Sequence, residues 1–222
     1  SDKDYSNPTT DFCDSIQGKA YSYVDPLNEE FIDNSAGEFD KKFLVGQIDA
    51  KFIYAGNDEY PLWEILDAIS SECEELISFF DEERILNKNV LETIKKDNDE
   101  YHGYENFLFL EDLSVNQKYR GFGIGKLLIK NLLIDHSKNA SFAFLKAFPK
   151  QYSGHKKWST EERKQAKKII TTEFKDRDLS TSQKKLVKLY SECGFKLIKG
   201  NKEHMIMDLF SEESHEFLKD SL

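Results

Sequence analysis

The 222-residue chain has no stretch of apolar residues close to the ~18 that a membrane-spanning helix needs. Its first residues also lack the basic patch and apolar core of a secretory leader, which predicts no signal peptide. Cysteine is scarce: Cys13, Cys73 and Cys193 are odd in number and widely spaced, with no CxxC pair and no neighbouring histidine pair. That pattern excludes a disulfide framework and a zinc site, so the expectation is reduced thiols, no metal and a cytoplasmic setting. With only 4 prolines, 39% hydrophobic and 13% aromatic residues, the chain has too much core-forming material to stay disordered. The length predicts one domain over residues 1–222, burying roughly 70% of its unfolded surface.

Positive charge is scarce in the first half. Residues 1–114 carry 28 Asp and Glu against 9 Lys and Arg, or -19, while residues 115–222 carry +9, giving the net -10. An acidic half suits a cationic ligand and a basic half a polyanionic one, although an unevenly charged solvated surface has the same composition.

Residues 1–38 have turn residues and no sustained apolar period, which predicts an irregular arm with a short strand near Ala20 to Val24. Lys42 to Tyr54 is β-favouring, and Pro61 opens an amphipathic helix carrying Leu62, Ile65, Leu66, Ile69, Cys73, Leu76, Ile77 and Phe80 on one stripe. A weaker helix follows over Ile85 to Ile94. Asn106 to Val115, Gly125 to Lys138 and Ser141 to Phe148 then read as strand, helix and strand, a βαβ crossover with parallel strands. Residues 150–181 form a basic insert with a capping-box pair, Ser159 and Glu162; Lys150 to Lys188 holds 12 basic against 5 acidic residues. A helix over Ser182 to Cys193, capped by Gly194, precedes a closing hairpin around Gly200 and Asn201, and the final dozen residues read as peripheral.

The segment Arg120 to Lys126, RGFGIGK, lies between a predicted strand and the first turn of a helix. Arg120 and Leu127 occupy positions where a Walker A loop needs glycine and Ser or Thr, and Lys126 stands where a dinucleotide fingerprint from Gly121 needs its third glycine. Both of those nucleotide sites are excluded. What remains is a turn whose glycines let several amide N–H groups converge at a positive helix end, where a pyrophosphate can sit beside Arg120 and Lys126.

Arg120, Gly123 and Gly125, preceded by EDLSVNQKYRG and followed far downstream by LYSECGF (Leu189 to Phe195), resemble the GNAT superfamily of N-acetyltransferases over about residues 106–210. The resemblance implies a mixed α/β fold: a central, mostly antiparallel sheet with a splayed parallel strand pair, flanked by helices. It implies acetyl-CoA as cofactor, held at its pyrophosphate by the amides of Gly121, Phe122, Gly123, Ile124, Gly125 and Lys126. The pantetheine arm would lie along the main chain at Leu113 and Val115. Gln183 stands where the family often has an asparagine that contacts the arm, and the 150–181 insert replaces a short loop.

Acetylating an ammonium requires a base and a donor for the departing sulfur. Glu111, which interrupts the apolar strand, is the candidate base. A regular pleat points Asp112 to the other face, while a bulge there would exchange the two. Tyr190 matches the family's general-acid position, and Cys193 reads as packing. The implied acceptor is a primary amine of a small cationic molecule or a protein. The alternative is a non-catalytic CoA-binding module whose basic insert contacts an acidic partner; net acidity argues against nucleic acid, no membrane contact is expected, and a homodimer is left open.

Overall fold

The computed structural model describes residues 12–22, 43–56, 60–96, 106–149 and 178–219. Its centre is a six-stranded sheet in the order β1-β2-β3-β4-β6-β5. The strands are β1 (Cys13–Ser22), β2 (Phe43–Ile53), β3 (Phe107–Val115), β4 (Phe142–Lys146), β5 (Lys196–Leu197) and β6 (His204–Asp208). Every neighbouring pair is antiparallel except β3 and β4, which run parallel from Phe107↔Phe142 to Leu110↔Leu145. This is the mixed α/β architecture, mostly antiparallel with one parallel pair, that the resemblance implies.

Strand alternation sorts the core onto two faces. Ile53, Phe107, Phe109, Phe142, Phe144 and Ile206 face helices α1 (Leu62–Ile69), α2 (Ser71–Glu74) and α3 (Lys88–Ile94), where Ile65, Leu66, Cys73, Val90 and Leu91 meet them. Parallel register stacks this phenylalanine face: Phe107 lies across from Phe142 and Phe109 from Phe144, and the Phe107 and Phe144 rings meet edge-on at 5.5 Å. The second face carries Ile48, Phe52, Leu108, Leu110, Leu145 and Met205. It packs against α4 (Ile124–His136) through Leu128, Ile129, Leu132 and Leu133, with α5 (Leu179–Ser191) contributing Tyr190.

Three elements differ from their sequence reading. The strand expected near Ala20 is ten residues long and begins at Cys13, because Ile16 and Ala20 pack on the second core while polar residues fill the alternate positions. The helix opened by Pro61 breaks at Ser70, whose extended backbone (φ -170°, ψ 160°) lets its hydroxyl accept from the Cys73 amide and start a new turn. A 3-10 turn over Glu75–Phe79 completes the segment. The C-terminal residues expected at the periphery form α6 (Glu212–Lys219), which packs Phe217 and Leu218 on the second core and places the Phe217 ring 5.4 Å from Lys130 Nζ. Ser211 and Ser214 hydroxyls anchor its start by donating to the Asp208 carbonyl.

The capping-box pair Ser159 and Glu162 and most of the basic insert lie outside the described residues, as does most of the 1–38 arm. Cys73 and Cys193 are buried, and none of the three cysteines is in a disulfide. Among the described residues no helix is long and apolar enough to cross a membrane, and no His, Cys, Asp and Glu cluster is suited to a metal ion.

Candidate active site

Strand β3 has two unlike parts. Phe107 to Leu110 are buried and paired on both edges, with β2 and with β4. The register with β2 then slips: Leu110 lies opposite Ala50 and Asp112 opposite Asp49, leaving Glu111 as the extra residue of a β-bulge. Beyond it β3 runs on to Val115 beside β2 alone, and among the described residues no strand pairs with its other edge. The parallel pair therefore opens from Glu111 onward, and peptide groups of one strand edge line the opening.

The glycine loop closes the upper end of that opening. A 3-10 turn over Gln117–Tyr119, started by the Asn116 side chain, leads into Arg120. Arg120 Nε donates to the Val115 carbonyl at 3.0 Å, stapling the loop back onto the strand. Gly121 (φ 89°) and Gly123 (φ 80°) occupy the left-handed region, and a Cβ on either would point into open space. Gly123 caps α4, whose first intrahelical bond is donated by Leu127 to the Gly123 carbonyl. The amides of Ile124, Gly125 and Lys126 precede that bond and so have no acceptor within the helix. A Cβ on Gly125 would lie 3.5 Å from Leu113 and 3.8 Å from Val115, so the start of α4 rests on the open half of β3. Phe122 at the loop tip is 78% exposed.

Helix α5 brings Tyr190 to the same place. Its N-cap, Asp178, accepts from the amide and hydroxyl of Thr181. At its other end Glu192 takes the Lys126 ammonium at 2.6 Å, tying the first turn of α4 to the turn that follows Tyr190. Burial and, after it, the negative charge of Asp112 push the Tyr190 phenol well above its ordinary value, so it stays protonated. The carboxylate whose charge reaches that phenol is thus Asp112. Glu111 instead engages Lys51, with Oε2 3.9 Å from Nζ, and its charge is felt by Cys13 and Cys73.

These contacts link Leu113 and Val115 to Arg120 and Gly125, Lys126 to the end of α5, and Tyr190 to the charge of Asp112, while Glu111 stands at the bulge with its carboxylate toward Lys51. Gln183 is engaged elsewhere: its Nε2 donates to the Lys202 carbonyl at 3.0 Å, fastening α5 to the β5–β6 turn. A separate cavity of about 350 Å³, lined by Asp14, Phe52, Tyr54, Asn106, His136 and Asn139, lies at the amino end of β3, away from the glycine loop.

Sequence reasoning missed a charged group at the carboxyl end of β4. Lys146 Nζ sits 2.7 and 2.5 Å from the two carboxylate oxygens of Glu75 and 3.8 Å from Glu203. The buried His204 ring stands edge-on to Phe79, with Nε2 3.2 Å from Glu75 Oε2. The contact pairs the ring with the Glu75 carboxylate. Burial lowers the imidazole pKa, against the opposing pull of Glu75. The signal available beforehand was Lys146 at the end of an aromatic strand, where sites of parallel pairs collect, but its nearest partner, Glu75, comes from 71 residues away.

No family model matches the chain, and no curated protein matches it. Among solved structures it is similar to the crystal structure of Arabidopsis thaliana NAA60 in complex with acetyl-CoA, at 16% identity and a TM-score of 0.35, over 89% of this chain and 78% of that one. It is also similar to Arabidopsis thaliana NAA60 in complex with a bisubstrate analogue, at 18% identity and a TM-score of 0.29, over 79% and 72% of the two chains. At these values the likeness carries no functional argument.

Proposed function

We propose that the chain is a GNAT-superfamily N-acetyltransferase that moves an acetyl group from acetyl-CoA to a primary amine by direct attack. The observation that carries this reading is the opening of β3 and β4 beyond Leu110 and Leu145, with the glycine loop at its upper end and Tyr190 on its flank. An unpaired strand edge, outward amides at a helix start and room above Gly121 and Gly123 fit the extended arm and pyrophosphate of coenzyme A. The cofactor, when bound, supplies an activated acyl thioester.

The amides of Gly121 to Lys126 would hold the pyrophosphate, with Arg120 bracing the loop and Lys126 bracing α4 against α5. The edge at Leu113 and Val115 would align the arm. An aliphatic acceptor amine carries a proton at neutral pH, its reference pKa being about 10.4, and Glu111 takes that proton directly or through water. Tyr190 keeps its own proton. Because its pKa is raised above the ~8.5 of a thiol, it stabilises the departing sulfur chiefly as a hydrogen-bond donor. The acid-rich first half of the chain favours a cationic acceptor.

The test is thiol release from acetyl-CoA over a panel of primary amines, with CoA binding measured by calorimetry. Wild type is expected to bind CoA and release thiol, while Glu111→Gln and Tyr190→Phe lower kcat on the order of 100-fold and leave CoA affinity intact. Absence of CoA binding would remove the reading. Tight binding without release for any amine would replace it with a binding module.

A further inference from the structure

Glu111 occupies an unusual place for a residue asked to hold a proton-accepting carboxylate steady. As the extra residue of the bulge it lies outside the regular register, so the pleat does not set its direction. The groups around it must do so. Lys51 lies on β2, directly opposite Ser15 of β1 and Phe109 of β3. Its Nζ donates to Ser15 Oγ at 2.8 Å and stands 3.9 Å from Glu111 Oε2. Ser15, Lys51 and Glu111 thus form a row across β1, β2 and β3 that ends at the bulge.

Among the described residues, the thiols of Cys13 on β1 and Cys73 on α2 and the carboxylate of Asp14 also lie near this row. Burial raises both thiols, Cys73 to about 12, so both are neutral at physiological pH. Asp14 accepts a hydrogen bond from the Tyr54 hydroxyl. Asp112, next in sequence, adds a like charge that opposes ionisation of Glu111. Lys51 is a cation placed to counter it. The side chains of Lys51 and Glu111 are only 21% and 26% exposed, which leaves water a reduced share in screening them.

From this geometry we propose that Lys51 is the positioning residue that keeps Glu111 ionised at the bulge where the acyl-transfer opening begins; the inference rests on the acetyltransferase reading above. Lys51 acts through Glu111: a neighbouring cation favours the charged carboxylate, so amine deprotonation extends to lower pH than an isolated half-buried glutamate would allow. Ser15 holds the ammonium in place.

The experiment is the pH profile of kcat/KM for thiol release in wild type, Lys51→Met, Lys51→Arg and Ser15→Ala, with the Glu111 carboxyl titrated by NMR in glutamate-labelled protein. Lys51→Met is expected to move the acid limb and the NMR titration of Glu111 upward together, by about one pH unit. CoA affinity should not change. Lys51→Arg should restore both, and Ser15→Ala, which leaves the cation but loosens it, should move both by less. Loss of packing alone would lower the melting temperature without moving either limb. If Lys51→Met is folded and neither titration moves, the proposal is overturned. Should the variant not fold, an unmoved profile in Ser15→Ala overturns it equally. If the NMR titration shifts while the kinetic limb stays, Glu111 is not the base, and the acid–base part of the functional reading falls with the proposal.

Discussion

The two halves of β3 make opposite use of the same strand. Phe107 to Leu110 alternate phenylalanine and leucine onto the two cores, are almost fully buried and have strand partners on both sides. Glu111 to Val115 are only partly covered, paired on one side, and interrupted by two carboxylates. One bulge divides them. The first half secures the sheet, and the second can present peptide groups and charge because the first does not depend on it. The open half is then free to exchange stability for a site.

The largest effect that would break this comparison is in the closed half. Phe107 is fully buried and meets Phe80 at 5.5 Å and Phe144 at 5.5 Å, so Phe107→Ala should cost about 3–5 kcal/mol in urea unfolding. Leu113→Ala, in the open half, should cost no more than about 2 kcal/mol, since Leu113 is only partly buried against the second core. Equal losses at the two positions would mean that the open half is as structural as the closed one.

Much of the closed half was legible beforehand. The alternation FLFL in β3 and FAFL in β4 specifies which residues face which helices, and the intervening helix makes the pair parallel. The glycine turn before α4 was legible because its glycines are close together, and the helix carrying Tyr190 because its apolar residues recur at helical spacing; the role of Tyr190 comes from the resemblance alone. The bulge was foreseen only as a possibility, since its register slip depends on Asp49 and Ala50 of β2, far earlier in the chain. The break at Ser70 escaped because apolar spacing continues through it; only the cap chemistry of Ser70 toward Cys73 marks the restart. Lys51, Glu75, Lys146 and His204 were out of reach for the same reason: their meaning comes from partners on other elements, and a single lysine or histidine carries no period.

A smaller effect sharpens the boundary between loop and helix. Gly123 sits at φ 80° with open space where a Cβ would go, so Gly123→Val meets no clash, yet a β-branched residue there costs about 1–2 kcal/mol in a left-handed conformation. Relief of that strain turns the amides away from one another, and CoA affinity by calorimetry should fall about tenfold or more, roughly 1.4 kcal/mol. Gly125→Ala is the contrast. Its Cβ makes ordinary contact with Leu113 and Val115 at 3.5 and 3.8 Å, inside a helix that prefers alanine, so folding stability should hold or rise slightly. A CoA affinity lowered by Gly125→Ala but untouched by Gly123→Val would move the anion seat out of the loop and onto the strand.

The smallest effect concerns the carboxyl end of β4, where the closed sheet meets the opening. Burial holds His204 below its ordinary pKa of 6.5, with Glu75 and Glu203 pulling upward and Lys146 downward. A depressed histidine binds its proton less readily when folded than when unfolded. Its contribution therefore favours the fold above about pH 6.5 and is lost as pH falls from there toward the folded value. Wild type should lose unfolding free energy between pH 7 and 5 more steeply than His204→Gln, in which the amide cannot titrate. Groups common to both proteins cancel in that difference. If the slopes coincide, Glu75 has balanced the burial of the ring, and this end of β4 belongs electrostatically with the open half of β3 rather than with the core beneath it.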